Sequence, residues 1–290
     1  PPSSGGIALM QLLKGSEYFD LGNMEFNGAE MLHYKTEIER RVYADRSVHL
    51  GDPDYYEVPT EQLISEKYNY ARFSKIKKRK KTASSQVMEG NIPPYESPST
   101  THFSVVDPSG NAVALTTTLN GSYGSSVMVK GAGFFLNNEM DDFSAKPGIP
   151  NKFGLIGSEA NAIAPGKRML SSMTPTIVEK EGSLFLVTGT PGGATIITTV
   201  FQSIINVIDF GMGIQEAINA KKTHSQWLPD TLFIENGGIS NEVQLELEKR
   251  GHLIHFKESS SKINAVLVLD DGSLEGGADY LRSDSYAEGF

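Results

Sequence analysis

The sequence predicts an α+β protein in which layers of β-sheet are covered by helices. Strand-like segments joined by short turns follow residue 100, and longer helical patterns lie before and among them. The chain of 290 residues is long enough for one large domain, or two smaller ones, with a sizeable core. No run of about 18 apolar residues occurs, so we expect no transmembrane helix.

The first hundred residues predict helices followed by an exposed tail. Apolar spacing indicates a short helix at Ile7–Leu13, an amphipathic helix from a capping-box-like start at Asn27–Glu30 to about Tyr43–Ser47, and a third helix at Thr60–Phe73. The basic cluster KIKKRKK at residues 75–81 could bind polyanions, but in this acidic chain it is more typical of a solvated linker. Residues 82–99 lack an apolar period, and we expect a flexible tail there.

After residue 100 the pattern changes from helix to strand. A turn at residues 107–111 joins two predicted strands, and Glu181 and Gly182 close a second hairpin. The predicted strands are Phe103–Val106, Ala112–Leu119, Val127–Leu136, Thr176–Lys180, Leu184–Thr188, Leu232–Glu235, Leu253–Lys257 and Ala265–Leu269, and the predicted helices are Thr195–Phe210, Ile214–Lys221 and Asn241–Arg250.

The composition excludes several classes of protein. A formal net charge of −9 argues against a nucleic-acid-binding surface and against adsorption to an anionic membrane. The absence of cysteine excludes disulfides, thiolate metal sites and a cysteine nucleophile. No stretch indicates a cofactor or a metal ion, and Gly5 and Gly6 lack the spacing of a phosphate-binding loop. The opening PPSSGG, with neither an initiating Met nor a signal peptide, suggests a sequence that begins inside a longer polypeptide.

A hydroxyl residue at the start of a strand is the first candidate for chemistry. Thr100 follows a break rich in Pro and Ser and precedes Thr101 and His102. If the bond between Ser99 and Thr100 is cut, Thr100 gains a free α-amino group, with a reference pKa of roughly 7.7–8.0, beside its own hydroxyl. That amine is a usable general base at neutral pH. Taken alone, the pattern is more typical of an ordinary exposed strand start.

Three further segments carry groups that suit an amino-acid-like acyl compound. The carboxylates within Asn137–Asp142 suit an ammonium group, although a solvated acidic turn has the same composition, and the ligand spacing disfavours a Ca²⁺ loop. Adjacent hydroxyls at Ser171 and Ser172 suit a carboxylate or form an ordinary turn. Gly192 and Gly193 lie between a strand and a helix N-terminus, where their N–H groups form either an oxyanion hole or a tight turn.

Several motifs, in their order and spacing, resemble the γ-glutamyltranspeptidase family of N-terminal nucleophile (Ntn) hydrolases. The motifs are TTHFSVVD, LNNEMDDFSAKPG, KRMLSSMTPTIV and GTPGG, preceded by PPSSGG, YADRS and LGDPD, and the resemblance extends over essentially all 290 residues. It implies an αββα four-layer sandwich and a precursor that cuts itself into two subunits. Residues 1–99 would be the C-terminal part of the large subunit, and residues 100–290 the whole small subunit. The resemblance also implies a periplasmic or secreted protein.

The resemblance implies a catalytic group of four residues. Thr100 matches the nucleophile, Thr118 matches a second threonine that supports it, and the amides of Gly192 and Gly193 match the oxyanion hole. The implied reaction moves the γ-glutamyl group of glutathione, or of another γ-glutamyl compound, through an ester on Thr100 to water, an amino acid or a dipeptide. No cofactor or metal ion is implied, and the processed large and small subunits form a heterodimer.

The resemblance also implies a group of substrate-binding residues. Asn120, Glu139 and Asp142 match residues that hold the α-amino end of the γ-glutamyl group. Ser171 and Ser172 match donors to its α-carboxylate.

The sequence departs from the family pattern in places, and other functions stay open. Phe153 stands where some members have Tyr, in a loop, Pro147–Ser158, that matches a lid; residues 222–225 and 279–282 also differ. The alternatives are a related Ntn acylase, such as a cephalosporin or glutaryl acylase or a poly-γ-glutamate depolymerase, and an unprocessed binding protein without catalytic activity. The carboxylates of Glu139 and Asp142 argue against a glutaryl group, because that group has no ammonium to bind.

Overall fold

The computed structural model describes residues 2–87, 100–144, 146, 148–149, 157–258, 262–280 and 285–289. The chain divides into two compact units. Unit 1 comprises residues 1–96, 140–171 and 221–259, and unit 2 comprises residues 97–139, 172–220 and 260–290. The sequence also predicts a division of the chain by cleavage of the peptide bond between residues 99 and 100. That division is a separate matter from the two compact units, and it stays a prediction.

Helices and strands follow one another along the described chain, with short 3₁₀ turns at Leu21–Asn23, Glu139–Asp142 and Glu159–Asn161. Within the described ranges, no helix has both the length and the apolar character needed to cross a bilayer. The α-helices are α1 (Gly5–Phe19), α2 (Ala29–His49), α3 (Thr60–Ile64), α4 (Glu66–Phe73), α5 (Ser84–Val87), α6 (Thr195–Ile208), α7 (Ile214–Asn219) and α8 (Asn241–Lys249). The strands are β1 (Thr100–Val106), β2 (Ala112–Thr118), β3 (Thr176–Lys180), β4 (Ser183–Gly189), β5 (Thr223–His224), β6 (Leu232–Glu235), β7 (Ile254–Lys257), β8 (Asn264–Val268) and β9 (Leu274–Ala278).

Helix α2 is buried on almost every side within unit 1. The sequence predicts an amphipathic helix here, but the charged side chains of α2 are buried as well. They are paired along the helix, with Lys35 3.3 Å from Glu39 and Arg41 3.0 Å from Glu37. Burial raises the pKa of Glu39 to about 7, although Lys35 opposes the shift. Because a buried charge is tolerated only when it is paired, these contacts explain how α2 carries charges inside the unit.

A three-stranded sheet completes unit 1. Strand β6 pairs antiparallel with β5 and parallel with β7. An apolar cluster formed by Leu32, Leu232, Ile234 and Leu247 joins this sheet to α2 and α8. Full burial of one such side chain stabilises the fold by about 2 kcal/mol.

Unit 2 contains a hairpin and a larger sheet that pack together. Strands β1 and β2 form the antiparallel hairpin, in which Thr100 pairs with Thr118 and Val106 with Ala112. The second sheet has the order β3-β4-β8-β9, and all of its neighbours are antiparallel. The hairpin packs against β4 and β8, while α6 and α7 pack against strands of the same four-stranded sheet.

Two predicted elements are wrong because local residues interrupt them. The segment Val127–Leu136, predicted as a strand, folds back on itself, since Gly131 and Gly133 have positive φ and only Met128 and Phe135 form a bridge in that segment. The predicted helix Thr60–Phe73 breaks into α3 and α4 at Ser65. This residue has an extended ψ of 144°, and its hydroxyl accepts a hydrogen bond from the Tyr68 N–H at 3.3 Å.

Two predictions about the first hundred residues are also corrected. Helix α2 begins at Ala29 with Gly28 as its N-cap, and no side chain caps it, so the expected capping box is not formed. Most of the basic cluster at residues 75–81 is exposed, as a solvated linker predicts, but its end is attached to unit 1, because the Lys81 N–H donates to the Arg250 carbonyl at 2.7 Å. The expected tail includes α5, and its remainder at residues 88–99 lies outside the described residues.

Candidate active site

The start of β1 and the end of β2 bring two threonine hydroxyls together. Thr100 and Thr118 are register partners, and the Thr100 hydroxyl donates to Thr118 Oγ1 at 3.3 Å. Thr118 Oγ1 also accepts the Asn120 N–H at 2.8 Å. Asn120 is buried and has a φ of 67°, a left-handed conformation that Asn tolerates better than most residues. The turn after β2 therefore fixes the oxygen toward which Thr100 points.

Asn138 connects this turn to the acidic segment. The Asn120 amide group donates to the Asn138 carbonyl at 3.2 Å, and Asn138 Oδ1 accepts the Gly121 N–H at 2.9 Å. Glu139 follows directly, and burial raises the pKa of its carboxyl group. In unit 2, the hydroxyl pair and the first carboxylate of the predicted site are thus linked through one short chain of hydrogen bonds.

The turn at Gly192 and Gly193 has a backbone geometry that suits glycine. Their φ values are 142° and 56°, a region that side-chain-bearing residues rarely adopt. The carbonyls of Gly192 and Gly193 accept the N–H groups of Thr195 and Ile196 at 3.1 and 3.2 Å, so this turn starts α6. Among the described residues, no backbone acceptor is found for the N–H of either glycine. N–H groups at a helix N-terminus are able to bind an anion.

A buried histidine connects the strand of Thr100 with the strand that leads to this turn. The His102 ring lies so close to Gly189 that a Cβ on Gly189 would be 2.3 Å from His102 Cε1. The ring contacts Thr116 Oγ1 at 2.8 Å and Ser104 Oγ at 3.0 Å. Burial lowers the pKa of His102 to about 4, so the ring is neutral at pH 7. Sequence analysis did not single out His102 as a site residue.

Asp142 and Ser171 belong to unit 1, where Asn161 connects the backbone of Asp142 with that of Leu170, the residue before Ser171. Asn161 is buried, and its side-chain amide donates to the Asp142 carbonyl at 2.7 Å while its Oδ1 accepts the Leu170 N–H at 2.9 Å. Ser4 binds the next carbonyl, since its N–H and hydroxyl both donate to Ser171 O, at 2.9 and 2.6 Å. The opening motif PPSSGG therefore supports Ser171, a function that the motif alone did not reveal.

The remaining predicted site residues are only partly described. Ser172 belongs to unit 2 and is buried, and its carbonyl accepts the Thr174 hydroxyl at 2.9 Å. Ser99, Phe153 and most of the predicted lid Pro147–Ser158 lie outside the described residues. Among the residues that the structure describes, no cluster of three or more potential metal ligands occurs.

Comparison with known proteins supplies the family. The family model described as gamma-glutamyltranspeptidase matches residues 1–289. The chain is 46% identical over 290 residues to a glutathione hydrolase proenzyme of Escherichia coli (strain K12), an alignment that covers 100% of this chain and 50% of that protein. The chain thus spans about half the length of the curated relatives it matches.

Solved structures agree with this assignment. A mutant γ-glutamyltranspeptidase from Helicobacter pylori is 53% identical, with a TM-score of 0.61, over 63% of this chain and 100% of that chain. A cephalosporin acylase from Bacillus halodurans is 22% identical, with a TM-score of 0.80, over 100% of this chain and 50% of that chain, and this likeness concerns the fold alone. The predicted α+β class, the αββα fold of Ntn hydrolases, is confirmed. The chain belongs to the γ-glutamyltranspeptidase family.

Proposed function

We propose that this protein transfers the γ-glutamyl group of glutathione, or of a related γ-glutamyl compound, through an ester on Thr100. The observation that carries the proposal is the hydroxyl pair at the open end of the hairpin. Thr100 donates to Thr118 Oγ1 at 3.3 Å, and Thr118 Oγ1 is in turn fixed by the Asn120 N–H at 2.8 Å. The first distance is long for a bond between hydroxyls, as is common in catalytic groups before substrate binds.

The proposal includes an activating cleavage. The Thr100 hydroxyl oxygen adds to the Ser99 carbonyl carbon, the bond from that carbon to the Thr100 nitrogen breaks, and the nitrogen takes up a proton. Water then hydrolyses the resulting ester, which leaves a carboxylate on Ser99 and a free α-amino group on Thr100. Because that amine has a reference pKa of roughly 7.7–8.0, a useful fraction is unprotonated near neutral pH and can accept the hydroxyl proton.

The same oxygen then performs the proposed transfer. Thr100 Oγ1 attacks the γ-carbonyl carbon of the substrate, cysteinylglycine leaves from glutathione, and water or the amine of an acceptor releases the γ-glutamyl group. We assign the N–H groups of Gly192 and Gly193 to the tetrahedral oxyanion. Oxyanion-hole donors of this kind each contribute roughly 10²–10³ to the rate in other acyl-transfer enzymes.

We assign the recognition of the amino-acid end of the substrate to five residues. Asn120, Glu139 and Asp142 would bind the α-ammonium group, and Ser171 and Ser172 the α-carboxylate. The family motifs support these roles, and the hydrogen bonds of Asn120 within unit 2 support the first of them. The same family resemblance supports a periplasmic or secreted location and a heterodimer of processed subunits.

Intact-mass measurement tests the nucleophile directly. We expect the unmodified protein to yield two pieces, residues 1–99 and 100–290, and Thr100→Ala to stay uncut. Thr101→Ala is the matched control, because Thr101 is the exposed neighbour of Thr100 on β1 and should leave cleavage intact. A Thr100→Ala protein that still splits at this bond would refute the assignment, and an uncut unmodified protein would favour a binding protein without catalysis.

A pair of substrates tests the acyl group. We expect hydrolysis of γ-glutamyl-p-nitroanilide to exceed that of glutaryl-7-aminocephalosporanic acid, because only the first carries an α-ammonium group for Glu139 and Asp142. A preference for the glutaryl compound would replace this proposal with that of a related acylase.

A further inference from the structure

A basic cavity in unit 1 lies outside every residue assigned to the reaction. Its volume is about 710 Å³, and its lining combines the basic cluster with residues of α2, the end of α4 and the end of α8. Cationic side chains dominate the lining, and Asp230 is the carboxylate among the lining residues. In a chain with a net charge of −9, this concentration of positive charge is a local feature that differs from the average surface.

The backbone around the cavity is held at several points, so the cations are presented by a defined scaffold. The Lys81 N–H donates to the Arg250 carbonyl at 2.7 Å, and the Arg250 guanidinium donates to the Lys78 carbonyl at 3.3 Å. His33 Nε2 donates to the Lys77 carbonyl at 2.8 Å. Thr82, which follows the basic cluster directly, donates its N–H and its hydroxyl to the Glu37 carboxylate on α2, at 3.2 and 2.5 Å.

Some of the cations of the cavity are neutralised by the protein itself. Arg72 pairs with Asp45 at 2.7 Å, and Lys81 pairs with Asp230 at 2.8 Å. Arg250 is paired in the same way with a glutamate of its own helix at 3.3 Å. These partners leave the arginines in fixed positions while reducing their net contribution of charge.

Three lysines that line the cavity lack such a carboxylate partner among the described residues. Lys75, Lys77 and Lys80 are exposed, and within the described ranges no carboxylate lies within 4.0 Å of their ammonium groups. A β-bridge pairs Lys77 with Lys80, so the fold holds these two backbone positions next to each other. Arg72 adds a buried Nε that has no hydrogen-bond partner among the described residues. The cavity therefore has an excess of positive charge that the described chain does not balance.

We propose that this cavity binds a small anion that carries several phosphate groups. Its volume lies within the roughly 300–1,000 Å³ typical of small-molecule sites. The three exposed lysines act as adjustable point charges toward phosphate oxygens. A concave site of this size favours a compact ligand over a flat membrane surface or an extended nucleic acid, which would contact only the rim.

Calorimetric titration with inorganic tripolyphosphate tests the proposal. We compare the unmodified protein with a variant in which Lys75, Lys77 and Lys80 are all changed to Gln. Loss of the three charges should weaken tripolyphosphate binding at least about tenfold, since a hydrogen bond to a charged group is typically worth that factor or more. The matched control changes three exposed lysines elsewhere, Lys67→Gln, Lys130→Gln and Lys180→Gln, and removes the same total charge.

Each outcome decides the question. The proposal is supported if only the cavity variant loses affinity and if tripolyphosphate protects Lys75, Lys77 and Lys80 of the unmodified protein from acetylation. It is overturned if the unmodified protein binds no tripolyphosphate, if both triple variants lose affinity equally, or if double-stranded DNA or anionic vesicles bind where tripolyphosphate does not. Hydrolysis of γ-glutamyl-p-nitroanilide should be equal in both triple variants, so failure here is distinct from failure of the proposed reaction.

Discussion

The contact between Gly189 and His102 predicts a large effect from one added methyl group. In Gly189→Ala, the new Cβ would lie 2.3 Å from His102 Cε1, 2.5 Å from Nδ1 and 2.7 Å from Nε2. The φ of Gly189 lies outside the left-handed region, so an alanine backbone is permitted and the penalty is purely steric. Reaching an ordinary contact of 3.4 Å requires the buried ring to move by about 1 Å.

That displacement sets the expected magnitude. Overpacking of a buried site costs about 1–3 kcal/mol. Movement of the ring also weakens its hydrogen bonds to Thr116 and Ser104, now at 2.8 and 3.0 Å, each worth about 1 kcal/mol. We therefore expect Gly189→Ala to lower the free energy of unfolding by about 2–4 kcal/mol. In a thermal unfolding measurement, the Tm should be lower by about 4–8 °C.

A double-mutant cycle separates this explanation from a general intolerance of substitution. In a His102→Ala background, the methyl group at position 189 meets no ring, so the added cost of Gly189→Ala should fall to within about 0.5 kcal/mol of zero. Gly276→Ala is the matched control, because its Cβ would meet only an ordinary contact of 3.4 Å in another strand of the same sheet. Equal costs of Gly189→Ala in both backgrounds would refute the reasoning.

Three further predictions concern titration and positioning. Burial raises the pKa of Glu139, and an ionised carboxylate is needed to bind an ammonium group. A pH–rate profile should therefore show kcat/KM decreasing as the pH is lowered through that raised pKa, and Glu139→Gln should move the decrease to lower pH. Asn161→Ala leaves the Asp142 carbonyl and the Leu170 N–H without their partner, so KM for γ-glutamyl-p-nitroanilide should rise about tenfold with a smaller change in kcat, and an unchanged KM would exclude a positioning role. Burial lowers the pKa of His252 to about 3, below its unfolded value of 6.5. The contribution of this neutral ring to the free energy of unfolding is therefore complete above pH 6.5 and decreases as the pH falls towards 3. Between pH 7 and pH 5 the loss of unfolding free energy should be about 2 kcal/mol smaller in His252→Gln than in the unmodified protein.

The sequence pattern predicted those helices, strands and turns whose residues have an intrinsic preference for the observed structure. The hairpin between β3 and β4 turns at Glu181 and Gly182, both with positive φ, as the sequence indicates. Strand β9, Leu274–Ala278, was missed because two glycines lower its intrinsic preference for strand, and pairing with β8 overrides that preference. The two-residue strand β5 carries too short a pattern to detect and exists through its pairing with β6.

The sequence likewise predicted some residues of the candidate site and not others. Residues with reactive or charged groups, such as Thr100 and Glu139, were found from motifs. The positioning roles of Asn138 and Asn161 were missed, because they lie in side-chain hydrogen bonds to distant N–H groups and carbonyls. Asn is common in turns, so only the folded chain distinguishes these two from ordinary turn residues.

The hairpin of unit 2 turns a polar face toward the neighbouring sheet. Its inward positions include His102 and Ser104, whereas Phe103, Val105 and Val113 are exposed on the other face. Apolar burial on one face is what normally prevents a strand from slipping in register. The face that packs on the neighbouring sheet is the polar one, so apolar burial against that sheet does not select the register.

Directional hydrogen bonds replace that selection. A slip of one residue between β1 and β2 would turn Thr118 away from Thr100, because side chains alternate between the faces of a sheet. The bond from His102 to Thr116 at 2.8 Å crosses the hairpin in the observed register only. Asn264 on β8 donates to the His102 carbonyl at 3.1 Å and so fixes the hairpin to the neighbouring sheet. The position of the proposed nucleophile therefore depends on the polar inner face, which explains why polar residues occupy positions where a strand of this kind usually buries apolar ones.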